Sequence, residues 1–188
     1  MRNKLPPGSI VILNPIPTGF NKLPANKLTR IMTTLGLGSS SFWFMVIILS
    51  CIFNFWFYIS DLFAFNLPTW LNWVGVIGIW FCYGWGVLVM YYNVNYKALF
   101  KPMKGQYILA TGGPYRFIRH PMYTEKIIVL IFLFLATGVW LILIGLLGFI
   151  WLPKQAKGEE ILLLELFGEQ YLDYINKSGR FLPKIQSK

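Results

Sequence analysis

The sequence predicts an all-α integral membrane protein: a helix bundle of about four spans that includes a C-terminal helical hairpin. Hydrophobic residues make up 56% of its 188 residues and charged residues only 13%, with a mean hydropathy of +0.55. The apolar residues form long blocks, and the basic residues lie between these blocks. A soluble domain of this length could not bury so much apolar surface. We therefore expect a single membrane domain over residues 1–188.

Polar and apolar segments alternate along the chain. Residues 1–41 carry five basic residues, several prolines and no acid, which indicates a basic, irregular arm on the membrane surface. Residues 42–60 and 68–92 are predicted as spans 1 and 2, because about 20 apolar residues cross the hydrocarbon core. A basic loop at 93–126 separates span 2 from the next apolar block, and a charged cytosolic tail is predicted at 153–188.

The apolar block at 127–152 allows two interpretations. One tilted span would leave the tail on the membrane side opposite to the basic loop. A helical hairpin that turns near Thr137-Gly138 would bring the tail back to the same side. Lysine and arginine number five in the arm, six in the loop and six in the tail, but residues 61–67 contain none. Because cytoplasmic segments are enriched in these residues, we predict the hairpin, with both termini cytoplasmic.

The net charge of +10 does not indicate a nucleic-acid partner. Its basic residues flank apolar blocks, which is the distribution that membrane topology produces. We therefore expect membrane lipids and no nucleic acid among the partners of this chain.

The basic loop ends in the segment GGPYRFIRHPMY, residues 112–123, which holds the only histidine, His120. Pro121 suits the first turn of the following helix. After the hairpin, Glu159 and Glu160 would return to the face that carries this segment. There, cations and carboxylates could together hold a zwitterion. The same residues also fit a purely structural role as interfacial anchors and a solvated helix start, so residue types alone identify neither a catalytic residue nor a metal site.

A resemblance to a known family gives these residues a more specific interpretation. Residues 113–123 resemble the signature of the isoprenylcysteine carboxyl methyltransferase family, and the related phospholipid methyltransferases carry a similar Gly-Pro-Tyr, Arg-His-Pro, Tyr pattern. A second set of residues resembles the C-terminal block of that family in order and spacing: Glu159, Glu160, Leu162, Phe167, Gly168, Tyr171, Tyr174, Gly179, Arg180 and Pro183. Together the two sets cover roughly residues 105–185.

The resemblance implies a membrane enzyme that binds S-adenosylmethionine at the cytoplasmic face of a small helix bundle. It implies methyl transfer to a lipid-like or small acceptor, one of which is the carboxylate of a prenylated cysteine. Arg119, His120 and Tyr123 would hold polar groups of the cofactor, and Glu159 and Glu160 would take its amine or ribose hydroxyls. The second-rank candidates are Tyr115, Gly113 and Arg180. Glu125 departs from the family pattern, which often has a small residue there.

Two other functions stay open at this point. One is an NADPH-dependent membrane reductase of sterols or isoprenoids, since some such enzymes have a related helical architecture. The other is a non-enzymatic membrane scaffold, in which the motifs are structural. The small size and the lack of a recognisable targeting sequence favour a prokaryotic plasma membrane, with the endoplasmic reticulum as the alternative.

Overall fold

The computed structural model describes residues 5–12, 27–93 and 107–184. The elements are β1 (Ser9–Ile12), α1 (Lys27–Ile52), α2 (Trp56–Phe63), α3 (Thr69–Tyr92), β2 (Tyr107–Ala110), a short 3₁₀ helix (Gly113–Arg116), α4 (Pro121–Thr137), a long 3₁₀ helix (Trp140–Trp151), α5 (Leu152–Phe167) and α6 (Glu169–Lys177).

The chain forms two compact units. The helical unit consists of Ala25–Gly84 and Glu125–Gln155, and the motif unit consists of the described parts of Met1–Pro24, Trp85–Thr124 and Ala156–Lys188. The first unit contains most of the apolar helices, and the second contains the polar segments that the sequence singles out.

The described residues include three helices that are long and apolar enough to cross a membrane: Lys27–Ile52, Thr69–Tyr92 and the continuous helix Trp140–Phe167. The fourth apolar helix, α4, has 17 residues, which corresponds to about 25 Å against a hydrocarbon core of about 30 Å. The architecture is therefore the predicted all-α membrane bundle, in which α4 is shorter than each of the three candidate spans.

The first membrane helix differs from its prediction. Helix α1 begins at Lys27, inside the segment predicted as an irregular arm, and ends at Ile52 rather than near residue 60. Small and polar residues lower the hydropathy of its first half, but Thr33 and Ser40 are buried there. The helix ends because Asn54 takes a left-handed conformation, with φ of 58°. The rest of the predicted arm, at 1–4 and 13–26, and residues 94–106 of the basic loop lie outside the described residues.

The long 3₁₀ helix packs closely against α1. Its side chains repeat every three residues, as 3₁₀ geometry requires, so that one row of apolar side chains is exposed: Ile144, Leu147 and Ile150. The glycines of another row face α1. A Cβ atom on Gly148 would lie 2.6 Å from the Cα of Gly36, and one on Gly145 would lie 2.6 Å from the hydroxyl of Ser39. The two backbones approach this closely because these positions lack side chains.

The structure confirms the predicted hairpin. Helix α4 ends at Thr137, and Gly138 turns the chain with φ of 73°. Beyond the turn, a side-chain methyl of Leu130 lies 3.1 Å from the position that a Cβ of Gly145 would take, so the two arms run side by side. The amide of Asn72 donates to the carbonyl of Leu135 at 3.0 Å, which satisfies a carbonyl that the helix end leaves without an intrahelical partner.

In the motif unit, a two-stranded antiparallel sheet precedes the GGPYRFIRHPMY segment. Strand β1 pairs with β2 in the register Ser9↔Ala110 to Ile12↔Tyr107. Its run of β-branched residues favours a strand. Leu109 of β2 packs into a core formed with Phe167, Tyr171 and Tyr174. Residues 9–12, predicted as part of the irregular arm, therefore hold the start of the motif segment in place.

The contact between α1 and the long 3₁₀ helix predicts a specific sensitivity to added volume. Replacing Gly148 by alanine places a methyl group against the backbone of Gly36, and we expect a loss of about 1–3 kcal/mol of stability from overpacking. Gly38→Ala is the matched control, since nothing lies within 4 Å of its Cβ position. Thermal unfolding of both variants in one detergent measures the difference, and equal melting temperatures would contradict the packing.

Candidate functional site

The Arg-His-Pro segment lies alongside the last described segment of the chain. Ile118 and Gly179 form a parallel β-bridge. The backbone N–H of Arg119 donates to the carbonyl of Gly179 at 2.8 Å, and that of His120 donates to Arg180 at 3.0 Å. Residues about 60 positions apart in sequence are thus held in register, so their side chains meet at one place within the motif unit.

The Gly-Gly-Pro-Tyr turn is built for close packing. Gly113 has φ of 56°, and a Cβ atom there would lie 2.4 Å from the ring of Tyr92, so only glycine fits. The buried hydroxyl of Tyr174 donates to the carbonyl of Tyr115 at 2.7 Å. Burial raises the pKa of Tyr174 above its ordinary value, which keeps the phenol protonated as a donor. Gly113 and Tyr115 therefore shape the backbone that leads to the site.

A buried carboxylate, Glu160, lies at the centre of the cluster with 8% of its side chain exposed. It accepts hydrogen bonds from Nε of Arg119 at 2.9 Å and from Nη2 of Arg180 at 2.5 Å. Nε2 of His120 lies 3.4 Å from the same carboxylate. The bond to Glu160 raises the pKa of Arg180, so this guanidinium stays charged. One carboxylate therefore compensates two arginines.

The guanidinium of Arg119 makes its hydrogen bonds to other groups of the protein. Besides Glu160, its Nη1 donates to the carbonyl of Ser178 and to that of Ile175 at 3.3 Å. Its side chain is 8% exposed. These bonds attach the last turn of α6 and the residue that follows it to the Arg-His-Pro segment. The arrangement makes Arg119 an anchor between two parts of the chain.

The neighbouring carboxylate, Glu159, is more accessible, with 25% of its side chain exposed. The hydroxyl of Tyr123 donates to its Oε1 at 2.5 Å, and Nδ1 of His120 lies 3.5 Å from its Oε2. The rings of His120 and Tyr123 stack at 5.3 Å with an interplanar angle of 6°. The less buried part of the cluster is therefore a carboxylate and a phenol, with the buried imidazole of His120 stacked beside the phenol.

Two buried polar atoms in this region make no hydrogen bond with the described residues. They are Nε2 of His120, whose contact with Glu160 is poorly aligned, and the hydroxyl of Tyr171, whose residue is fully buried. Buried polar atoms are nearly always satisfied by protein, water or a ligand. An imidazole nitrogen and a phenol hydroxyl beside paired carboxylates and a guanidinium are a set that suits a polar, zwitterionic ligand.

The structure brings together six of the eight residues that the sequence analysis proposed: Arg119, His120, Tyr123, Glu159, Glu160 and Arg180. Gly113 and Tyr115 have the packing roles described above. Glu125 belongs to the helical unit, where it is buried and contacts Lys126 at 3.4 Å.

Sequence reasoning missed two polar residues of the cluster. Ser178 accepts from Arg119, and the hydroxyl of Thr124 donates to the carbonyl of Phe181 at 2.7 Å. The position of Thr124 directly after Tyr123, in the first turn of α4, was the available signal. Ser178 acts mainly through its backbone carbonyl, and a backbone contact leaves no signal in the residue type.

Comparison with known proteins adds independent information. Residues 70–170 match the family model of the phospholipid methyltransferases. The match covers more than half of the chain and includes both the Arg-His-Pro segment and the Glu159-Glu160 pair. No curated protein matches the chain.

The different burial of the two glutamates predicts different effects on stability. Glu160→Gln leaves two guanidinium groups without their carboxylate, and breaking a buried ion pair costs about 3 kcal/mol. Glu159→Gln removes a more exposed charge, and we expect a loss of less than about 1 kcal/mol. Thermal unfolding of the two variants tests this order. A Glu159 variant at least as unstable as the Glu160 variant would contradict it.

Proposed function

The chain belongs to the phospholipid methyltransferase family and is a membrane methyltransferase, and we propose that it transfers the methyl group of S-adenosylmethionine to a lipid-like acceptor. The observation that carries this proposal is the meeting of the buried His120 with the half-buried Tyr123 and Glu159 in a cluster that Glu160 organises. The family match supplies the reaction class, and the cluster supplies the polar groups that its cofactor needs.

The residues of the cluster fit this cofactor. S-adenosylmethionine carries a methyl group already activated by its sulfonium charge, so the protein mainly has to bind, orient and exclude water. We assign Glu159 to the amine or ribose hydroxyls of the cofactor, because a carboxylate accepts hydrogen bonds from both. The guanidinium of Arg180, with 37% of its side chain exposed, is assigned to the carboxylate. His120 Nε2 and the hydroxyl of Tyr171 are the polar atoms with unused bonding capacity.

This assignment divides the predicted binding residues into two groups. Glu160 and Arg119 are positioning residues, since each is about nine-tenths buried and bonded to protein groups. Glu159, Tyr123, Arg180 and the imidazole of His120 form the contact group. The buried ion pair fixes the backbone on which His120 lies, and the stacking of His120 on Tyr123 fixes the ring planes. The chain thereby holds its contact group rigid before any ligand binds.

We propose that the acceptor is a lipid that enters from the bilayer beside the cluster. The description of the family favours the amine of a phospholipid headgroup, and the Arg-His-Pro resemblance keeps the carboxylate of a prenylated cysteine as the second candidate. A carboxylate acceptor needs no base, whereas an amine must be neutral before it attacks. The distribution of the basic segments supports a cytoplasmic side for this chemistry, and a prokaryotic plasma membrane is our proposed location.

The family match and the geometry of the cluster support the two rival functions less well than methyl transfer. The family match favours methyl transfer over NADPH-dependent reduction. The buried polar atoms without bonds, together with an accessible carboxylate, favour a ligand site over a scaffold in which every motif residue is structural.

Cofactor binding is testable with the demethylated product. We expect S-adenosylhomocysteine to bind the purified wild-type protein in a calorimetric titration. Glu159→Gln should weaken binding about 10-fold to 100-fold, because a charged hydrogen bond contributes about 1.5–3 kcal/mol. Glu165→Gln is the matched control: the same substitution at an exposed site on the same helix, expected to leave affinity within about twofold.

The same titration with NADPH separates the rivals. Binding of NADPH and not of S-adenosylhomocysteine by folded protein would replace the methyltransferase proposal with the reductase. Binding of neither would leave the scaffold. If Glu159→Gln and wild type bind equally, the cofactor assignment of Glu159 is wrong even though the activity stands.

The acceptor class is testable through the stability of the product. Membranes that contain the protein, given methyl-labelled cofactor, should transfer the label to phosphatidylethanolamine. Mild alkali then cleaves the acyl esters of this lipid but leaves the label on its headgroup in non-volatile form, because the methyl group is held by an N–C bond. A prenylated cysteine would instead give a methyl ester, which alkali cleaves to volatile methanol. Alkali-labile label would therefore assign the carboxylate acceptor, and no label in either substrate would exclude both.

A further inference from the structure

A groove of about 680 Å³ runs along one side of α1 in the helical unit. Five residues of this helix line it: Lys27, Arg30, Ile31, Thr34 and Leu35. They recur at three- and four-residue intervals, so they share one face of the helix. The groove contains none of the cluster residues and is independent of the proposed cofactor site.

The polarity of the groove changes along the helix axis. Lys27 and Arg30 lie in the first turn of α1 and form the charged end of the groove. Ile31 and Leu35, which are 45% and 61% exposed, form the apolar part that follows. The distance from Lys27 to Leu35 along the axis is about 12 Å. Half of the hydrocarbon core measures about 15 Å. A cationic end followed by an apolar channel of this length matches the order of headgroup and acyl chain in one leaflet.

The two cations of the groove have no carboxylate partner. All seven acidic residues lie within the described parts of the chain, and the first of them along the sequence is Asp61. Among the described residues, neither Lys27 nor Arg30 forms an ion pair. The lysines and arginines that do are Arg119, Lys126, Lys177 and Arg180. Within the described residues, no carboxylate therefore compensates the positive charge that lies next to these exposed apolar side chains.

We propose that this groove binds one anionic phospholipid, with its phosphate at Lys27 and Arg30 and an acyl chain along Ile31 and Leu35. Charge complementarity selects an anionic lipid over a zwitterionic one, because the described lining of the groove offers two positive charges and no acid to hold an ammonium group. Juxtamembrane basic residues attract anionic lipids in this manner. The bound lipid compensates a helix end that the chain leaves cationic.

The test is a titration of the full-length protein in neutral detergent, with bound lipids counted by native mass spectrometry. We expect phosphatidylglycerol to bind more tightly than phosphatidylcholine with the same acyl chains. Lys27→Gln combined with Arg30→Gln should weaken the first phosphatidylglycerol site about 25-fold, since each such residue contributes about a factor of five. Inorganic phosphate alone should not displace the lipid, because the apolar channel contributes to binding.

Lys154→Gln combined with Lys157→Gln is the matched control. Both lysines are exposed, have the same spacing and carry the same charge, but they lie outside the groove, so affinity should change less than about twofold. Equal loss in the two double variants would mean diffuse charge attraction and overturn the proposal. Unchanged affinity in the Lys27/Arg30 variant, or equal binding of the two lipids, would also overturn it. Ile31→Ser with Leu35→Ser should weaken lipid binding and keep the preference for phosphatidylglycerol.

Discussion

A carboxylate stays ionised in a largely buried position only when cations and hydrogen-bond donors surround it, and Glu160 meets this condition through Arg119 and Arg180. The pairing constrains more than one side chain. Arg119 also bonds the last turn of α6 and Ser178 after it, so the charge of Glu160 organises both the Arg-His-Pro segment and the C-terminal end of α6. The positions of His120 and Tyr123 depend on that frame.

The hairpin makes this ion pair possible. Glu160 can reach Arg119 only because the chain turns at Gly138 and returns along α4. The turn needs a residue that tolerates positive φ. The helix after the turn must also pack closely against its neighbours, and its glycines, which have no side chain, allow this close approach to α1.

The sequence predicted the hairpin and the meeting of the motifs, because charge asymmetry and the paired resemblance both depend on residue type. It missed the start of α1, since small polar residues such as Ser39 and Ser40 lower hydropathy whether they face lipid or another helix. It also missed β1. A short run of β-branched residues predicts a strand only when the strand that pairs with it is known, and here that strand is the one that contains Leu109. Contacts through backbone atoms, as at Ser178, leave no trace in the sequence at all.

The different roles of Glu159 and Glu160 show where sequence reasoning has its physical limit. The two residues are identical and adjacent, so composition and spacing cannot distinguish them. On a helix they point about 100° apart, and this rotation directs Glu160 to the arginines and Glu159 to Tyr123. A carboxylate that two guanidinium groups already satisfy has little capacity for a ligand. Its neighbour Glu159, which accepts one hydrogen bond from a phenol and is partly exposed, keeps that capacity. The rotation between the two positions on the helix therefore gives Glu160 a positioning role and Glu159 a binding role.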